Sequence, residues 1–294
     1  MIWCSGWRLA AAVSNAGGLG LIGAGSMYPE ILEEQIKKCK AATRNPFGVN
    51  VPLLYPGVEE LFNIILREEV KIIFTSAGNP AKWTSYLKQR GITVVHVVAS
   101  LKSAKKCEES GVDAIVAEGF EAGGHNGKEE TTTMTLIPLV HAATSLPVIA
   151  AGGIATGRSM LAAMALGAEG VQIGSRFIAS VESSAHPGFK EKILKAGEGD
   201  TLLSLKKIGP VRLLKNRFFD EVQILEDAGA TAEELKTLLG NKRAKMGMFE
   251  GNLEEGELEI GQVSALIHEI KPAGEIIREI ISEYLLALEQ LGKI

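Results

Sequence analysis

Ala114-Ile115-Val116-Ala117 runs directly into Glu118-Gly119-Phe120-Glu121-Ala122-Gly123-Gly124-His125-Asn126-Gly127. The first four residues form a short, unbroken apolar run, as a strand buried on both faces requires. The glycines that follow permit φ > 0 and let a flat ligand touch the main chain. Such a strand end presents one imidazole to a ligand. Imidazole is the side chain that ordinarily titrates near neutrality, where proton transfer is useful.

Outward from this stretch the same unit recurs. Apolar strands are expected at 19–24, 47–51, 72–75, 93–98, 114–117, 148–151 and 170–174. Helices are expected between them, at 5–16, from Pro29, near 57–68, and at 80–90, 101–110, 133–144 and 157–166. Continuous apolar strands alternating with helices belong to a parallel sheet covered on both faces. The repeat length fits a TIM-type (β/α)8 barrel. Seven strands are readable, and the chain opens on a helix. The expectation is therefore that the first barrel strand lies upstream of Met1.

After residue 180 the pattern changes. The segment 183–254 reads as a small helical domain inserted after the last strand, and 255–294 as the return that completes the barrel formed by 1–182. Lys190, Lys192, Lys195, Lys206, Lys207, Arg212, Lys215 and Arg217 make the first part of the insert basic. The helix Ala232–Leu239 stops at Gly240, and a last helix near 274–291 carries a broad Ile/Leu face.

Two further glycine turns follow the last two strands: Ala151-Gly152-Gly153 and Gln172-Ile173-Gly174-Ser175. In a (β/α)8 barrel a phosphate commonly sits between these two loops, held by backbone N–H groups. Asn50, Ser76 and Glu118 close other strands on the same face, where their polar groups suit an isoalloxazine ring. Read alone each is an ordinary turn residue; together they converge on one mouth. The literal G-x-G-x-x-G at Gly18–Gly23 has the wrong context for a dinucleotide fingerprint, because a helix precedes it and it is itself the strand. His96 and His141 fall on a strand and a helix, and His186 and His268 lie outside the barrel pattern, which leaves His125 as the candidate catalytic histidine.

Composition narrows the class. With 31 basic and 35 acidic residues the net charge is −4, which argues against a general nucleic-acid binder. Cys4, Cys39 and Cys107 are widely spaced and give neither a disulfide framework nor a zinc site, so a reducing cytoplasm is the expectation. No apolar run reaches the roughly 18 residues of a spanning helix, and no metal site is expected.

The segments Ala16–Gly20, Phe47–Asn50, Glu118–Gly127, Pro147–Gly153 and Gly170–Ser175 resemble the nitronate monooxygenase (2-nitropropane dioxygenase) and enoyl-acyl-carrier-protein reductase II superfamily. Within it the chain looks more like the reductase: Glu121–His125 leading into Thr131–Met134, Glu182–Pro187 with Lys190–Leu194, and Arg212–Asn216 are the closer matches. Glu118 stands where the monooxygenases usually carry glutamine. The resemblance implies FMN in the barrel mouth, touched by Met1, Asn50, Ser76, Glu118, Gly123, Gly152, Gly153, Gln172, Ile173, Gly174 and Ser175, with His125 on the substrate side. Met1 would correspond to the methionine of a Gly-Gly-Met turn after the first strand.

The activity then expected is NAD(P)H-dependent reduction of a trans-2-enoyl thioester on acyl carrier protein, with the basic stretch receiving the acidic carrier. A homodimer is implied by the family alone. The alternatives are oxidation of alkyl nitronates by O2 at the same flavin, and a flavin-binding barrel without turnover.

Overall fold

The computed structural model describes residues 1–293. Ten strands occur in chain order: β1 (Gly20–Gly23), β2 (Phe47–Pro52), β3 (Ile72–Ser76), β4 (Thr93–Val98), β5 (Ala114–Glu118), β6 (Gly124–His125), β7 (Val148–Ala151), β8 (Gly170–Gln172), β9 (Thr201–Ser204) and β10 (Val211–Leu214). The helices are α1 (Trp7–Asn15), α2 (Pro29–Ala42), α3 (Val58–Arg67), α4 (Thr84–Lys88), α5 (Leu101–Glu109), α6 (Thr133–His141), α7 (Gly157–Ala165), α8 (Ser175–Ile178), α9 (Pro187–Leu194), α10 (Arg217–Asp227), α11 (Ala232–Leu239) and α12 (Ala273–Leu291).

Seven strands form one curled parallel sheet in the order β1-β2-β3-β4-β5-β7-β8, a TIM-type barrel architecture. All seven expected strands are present. β1 and β8 are the two edges and do not pair with each other among the described residues. The register is continuous: Val49 aligns with Ile73, Phe74 with Val95, and Val116 with Ile149.

The apolar runs are unbroken because both faces of the sheet are covered. In β4, Val94 and Val98 join the outer core with Ile65, Leu87 and Ile137, while Val95 and Val97 face inward with Phe74, Val116 and Ile149. Full burial of each such side chain contributes about 1.5–3 kcal/mol. α12 lies against α1 and α7, and Ile276 and Ile280 pack on Leu9 and Phe177. The expected helix at 80–90 is instead a 3-10 turn, Pro80–Lys82, followed by the short α4. Pro80 fixes the first turn and the chain resets before it becomes regular.

The glycines of the Gly18–Gly23 stretch serve close packing of α1 on β1. A Cβ on Gly20 would overlap the Ala10 carbonyl, so α1 sits on β1 at a distance only glycine permits.

The insert departs from the helical expectation. β9 and β10 form an antiparallel pair, and β6, from the loop after β5, adds to β10 as a third strand. Each is two to four residues long and lies in charged sequence, so no alternation marks it. Its basic residues are also not one exposed stripe. Lys190 and Arg212 are buried: Lys190 Nζ donates to the Ser180 and Ser183 carbonyls at 2.7 and 2.9 Å. Lys192, Lys206 and Arg217 are held in ion pairs. The return segment joins the insert's core, where Leu258, Ile260 and Ile267 pack with Phe189, Ile193 and Met248. Asn216 ties the parts together, its Nδ2 donating to the Leu253 and Gly256 carbonyls at 2.8 and 2.7 Å.

Substituting Gly20→Ala should destabilise the fold by about 1–3 kcal/mol through overpacking, whereas Gly170→Ala, in open space on β8, should cost less than about 1 kcal/mol. Urea unfolding of the two variants checks the contrast; equal midpoints would remove the α1–β1 contact from the account.

Candidate active site

The C-terminal ends of the barrel strands enclose two adjoining cavities, of about 130 and 460 Å3. The smaller is lined by Met1, Glu118, Gly123, Gly152, Gly153, Gln172, Gly174 and Ser175 among others. The larger runs into the curl of the sheet and is lined by Met1, Asn50, Ser76, Glu118, Gln172, Ile173 and Gly174 together with apolar groups such as Phe74 and Ile149. All eleven residues expected at the cofactor therefore line one cavity or the other. Met1, Glu118, Gln172 and Gly174 line both.

The lining fits a flavin phosphate and ring. Gly152 and Gly153 take φ of +85° and +70°, and a Cβ on Gly152 would lie 2.7 Å from the Gly119 carbonyl. The N–H groups of Gly152, Gly153 and Gly174 have no hydrogen-bond partner among the described residues, which leaves them free for anionic oxygens. Ser175 Oγ accepts from Gly261 N at 3.0 Å and keeps its own proton to donate. Gln172 Oε1 is buried without a donor, an orphan acceptor that an N–H of a heteroaromatic ring would satisfy. Ser76 Oγ donates to Asn50 Oδ1 at 3.3 Å, which orients the Asn50 amide and leaves its N–H groups available.

Three carboxylates line the smaller cavity: Glu118, Glu121 and Glu259. Burial pushes Glu118 up to about 7, partly opposed by the Met1 amino group. Glu121 is held at the start of α6, accepting from Thr133 N at 2.9 Å and lying 3.0 Å from Thr133 Oγ1. The Glu259 side chain is half-buried and, like that of Glu118, has no hydrogen bond or ion pair among the described residues, although its backbone bridges Leu213. Cys4 also lines the cavity. Burial pushes its thiol up to about 12, so it remains a neutral apolar neighbour rather than a nucleophile.

His125 stands on β6 at the outer rim. It is exposed and lines neither cavity wall; its backbone pairs with Val211 of the insert. The other histidines are elsewhere. His96 is buried in β4 against Thr75 Oγ1 at 2.6 Å, and burial lowers it to about 4; His186 caps α9. No cluster of metal-ligating side chains occurs among the described residues, and no helix among them is long and apolar enough to cross a membrane.

Sequence reasoning missed the part of the wall contributed from beyond the barrel: Met248, Glu259, Ile260 and Val263. They follow β8 by some 75 residues or more and carry no periodic signal. Only the glycine pair Gly256 and Gly261 around them hinted at a close approach, and a Cβ on Gly123 would indeed overlap Ile260.

A TIM-type barrel with free backbone N–H groups after its last two strands and an orphan acceptor in the cavity wall suits a flavin-dependent oxidoreductase. Comparison with known proteins agrees. The family model described as "Nitronate monooxygenase" matches residues 1–64 and 56–283, and the chain belongs to that family, whose enzymes use FMN. The structure of FabK from Thermotoga maritima superposes with a TM-score of 0.95 and 44% identity, covering 100% of this chain and 94% of that one. A probable nitronate monooxygenase from Bacillus subtilis is 35% identical over 90% of this chain and 88% of its own length. A (3aS,4S,5R,7aS)-5-hydroxy-7a-methyl-1-oxo-octahydro-1H-indene-4-carboxyl-CoA dehydrogenase from Rhodococcus jostii is 32% identical over 99% and 93%.

A Glu whose folded pKa is raised holds a proton that the unfolded chain releases between its ordinary value of 4.5 and about 7. Its contribution to stability is therefore lost as pH rises through that window. Glu118→Gln should raise the apoprotein's Tm by about 2–4 °C above pH 7, on the order of 1 kcal/mol, with the advantage vanishing near pH 4.5. A pH series of thermal melts tests this; a difference independent of pH would mean the carboxyl is not held neutral.

Proposed function

We propose that the chain is an FMN-dependent enoyl-acyl-carrier-protein reductase that takes electrons from NAD(P)H. The observation that carries this reading is the placement of His125. An imidazole exposed on the rim, one residue beyond the Gly124 backbone, is reachable by a substrate that arrives on a flexible arm from another protein. A base serving a small free nitronate would be expected inside the cavity wall. The likeness to FabK over the whole chain at 44% identity supports the same reading.

FMN bound in the cradle would supply the two-electron transfer between NAD(P)H and the β-carbon of a trans-2-enoyl thioester. The residues of the chain do the rest. The free N–H groups of Gly152, Gly153 and Gly174 hold the phosphate. Gln172 and Asn50 offer an acceptor and donors at the ring edge. His125 donates a proton from its imidazole N–H to the α-carbon, or hydrogen-bonds the thioester oxygen as charge develops there. The β6–β10 pairing and Arg212 hold that histidine at the rim, outside both cavity walls. Lys195 and Lys215 are exposed and uncommitted in the insert and offer an acidic carrier its charge complement. Three buried, unpaired cysteines suit a reducing cytoplasm.

The second reading, nitronate oxidation by O2, is favoured by the family model and the Bacillus subtilis relative. Anaerobic mixing separates the two. The expected result is bleaching of the flavin by NADH or NADPH and recovery of its colour on adding crotonyl thioester. His125→Ala should lower turnover by about 10^2–10^4-fold while FMN stays bound. Oxygen uptake with ethyl nitronate in the absence of nicotinamide, and no NAD(P)H oxidation with the thioester, would reverse the assignment.

A further inference from the structure

Lys190 is buried, and its hydrogen bonds go to main-chain carbonyls of a single turn. From α9 the ammonium reaches back to the chain just after α8. There the Ser180 and Ser183 carbonyls accept at 2.7 and 2.9 Å, with the Val181 carbonyl at 3.5 Å. Carbonyl dipoles aimed at one point repel each other unless a cation sits there. The same turn grips the start of the chain. Ser183 Oγ and Ser184 N both donate to the Cys4 carbonyl at 3.1 Å, and Ser184 Oγ donates to the Trp3 carbonyl at 2.8 Å. On the barrel side Ser5 holds that start to β1: its Oγ donates to the Leu21 carbonyl at 2.6 Å, and its carbonyl accepts from Gly23 N at 3.0 Å. Residues 1–5 thus bridge the barrel and the turn, and they are cavity wall. Met1, Ile2 and Cys4 line the smaller cavity, and Met1 and Ser5 the larger. The turn also meets the return segment, where Val181 N donates to the Lys271 carbonyl at 3.0 Å and Ala273 N to Glu182 Oε2 at 2.9 Å.

We propose that Lys190 is a positioning residue for the cofactor site: its ammonium fixes the turn 180–184, the turn fixes residues 1–5, and those residues form the wall that the two cavities share. The link to the cofactor rests on reading the cavities as the FMN site; the anchoring of residues 1–5 does not. Remove the ammonium, and buried carbonyls face one another without a donor, a condition that costs their full desolvation penalty. The turn relieves it by reopening. Ser183 and Ser184 then lose their alignment with the Cys4 and Trp3 carbonyls, and the wall at Met1 loses its support from the insert. An apolar side chain of similar length fills the same volume but supplies no donor, so it cannot take the place of the ammonium.

The wild-type chain is compared with Lys190→Ala, Lys190→Met and Ser184→Ala by two readouts: FMN affinity, from quenching of flavin fluorescence, and amide hydrogen exchange of residues 2–6. Lys190→Ala should bind FMN at least about tenfold more weakly and exchange faster at 2–6. n-Propylammonium chloride supplies the carbons and the ammonium that the alanine lacks. It should restore both readouts in Lys190→Ala to within about threefold of wild type. Lys190→Met should show the same losses without recovery, and tetramethylammonium, which has no N–H, should rescue neither variant. Ser184→Ala leaves Lys190 in place and removes only an exposed hydroxyl, so it tests the same path should Lys190→Ala fail to fold. It should weaken FMN binding by about threefold or more and speed exchange at 2–6. Wild-type FMN affinity in Lys190→Ala or in Ser184→Ala, or equal effects of propylammonium on Lys190→Ala and Lys190→Met, would overturn the proposal. So would recovery of thermal stability without recovery of FMN affinity, the mark of a purely structural lysine. A wild type that binds no FMN, with protection at 2–6 still lost in Lys190→Ala and regained with propylammonium, would sink the cofactor reading and leave the anchoring standing.

Discussion

Arg212 is fully buried, and its guanidinium is spent on backbone carbonyls. Nε and Nη2 donate to the Phe120 carbonyl at 3.2 and 2.9 Å, the group lies 4.4 Å from the Phe120 ring centroid, and Nη1 reaches towards the Thr201 carbonyl. The backbone of the same residue aligns with Gly124 in the β6–β10 ladder. One side chain and its own main chain therefore pin both ends of the loop 120–124, the first through a charge-assisted hydrogen bond and the second through sheet pairing. Burying a guanidinium is costly unless dipoles or opposite charge meet it. Here carbonyls meet it directly, with Glu121 and Glu130 close enough to favour its charged form. Without this clamp the loop after β5 would end in glycines free to adopt many conformations, and His125 would have no fixed position relative to the cavity.

The clamp explains why a barrel enzyme needs its insert. A strand end delivers a side chain to the mouth only as accurately as the following loop is held. The loops after β7 and β8 are short and run straight into α7 and α8, so the barrel alone places Gly152, Gly153, Gly174 and Ser175. The loop after β5 is longer, and the insert supplies β10 as a splint. The return segment then lies over the splint, with Leu258 and Ile260 buried in the insert's core. Cradle and lid are thus built from different parts of the chain, the first local to the strands and the second assembled from a distance.

That division decides what was readable in the sequence. Strands such as Ala114–Glu118 and Val148–Ala151 are legible because burial on both faces removes polar residues altogether, and their ends mark one face of the sheet without further information. Asn50, Ser76, Glu118 and the two glycine turns could be placed together for that reason. The insert obeys no such rule. Val211–Leu214 is four residues long, and Arg212 in its middle reads as surface charge, yet it is among the most buried side chains in the molecule. A count of lysines and arginines cannot distinguish a solvated cation from one whose partners are carbonyl oxygens. Lys190 was misplaced on the surface for the same reason. Glu259 was invisible because it reaches the cavity only by lying over Gly124, more than a hundred residues earlier.

The acidic groups at the mouth follow from the same architecture. Several carboxylates gathered in a partly desolvated space cannot all be ionised without compensation, and each meets the requirement differently. Glu121 is met by the N–H of Thr133 at the start of α6. Glu118 is raised towards neutrality by burial, and Glu257 is raised by burial and by its neighbour. Glu259 stays half in water. The native state therefore holds protons that the unfolded chain would release, which makes the mouth the part of the molecule whose stability falls as the solution becomes less acidic. Groups held in that condition are poor structural cement, and a fold that needed only stability would replace them with apolar side chains. They gather at the one place where strand ends, insert and return segment meet, beside the free backbone N–H groups of Gly152, Gly153 and Gly174.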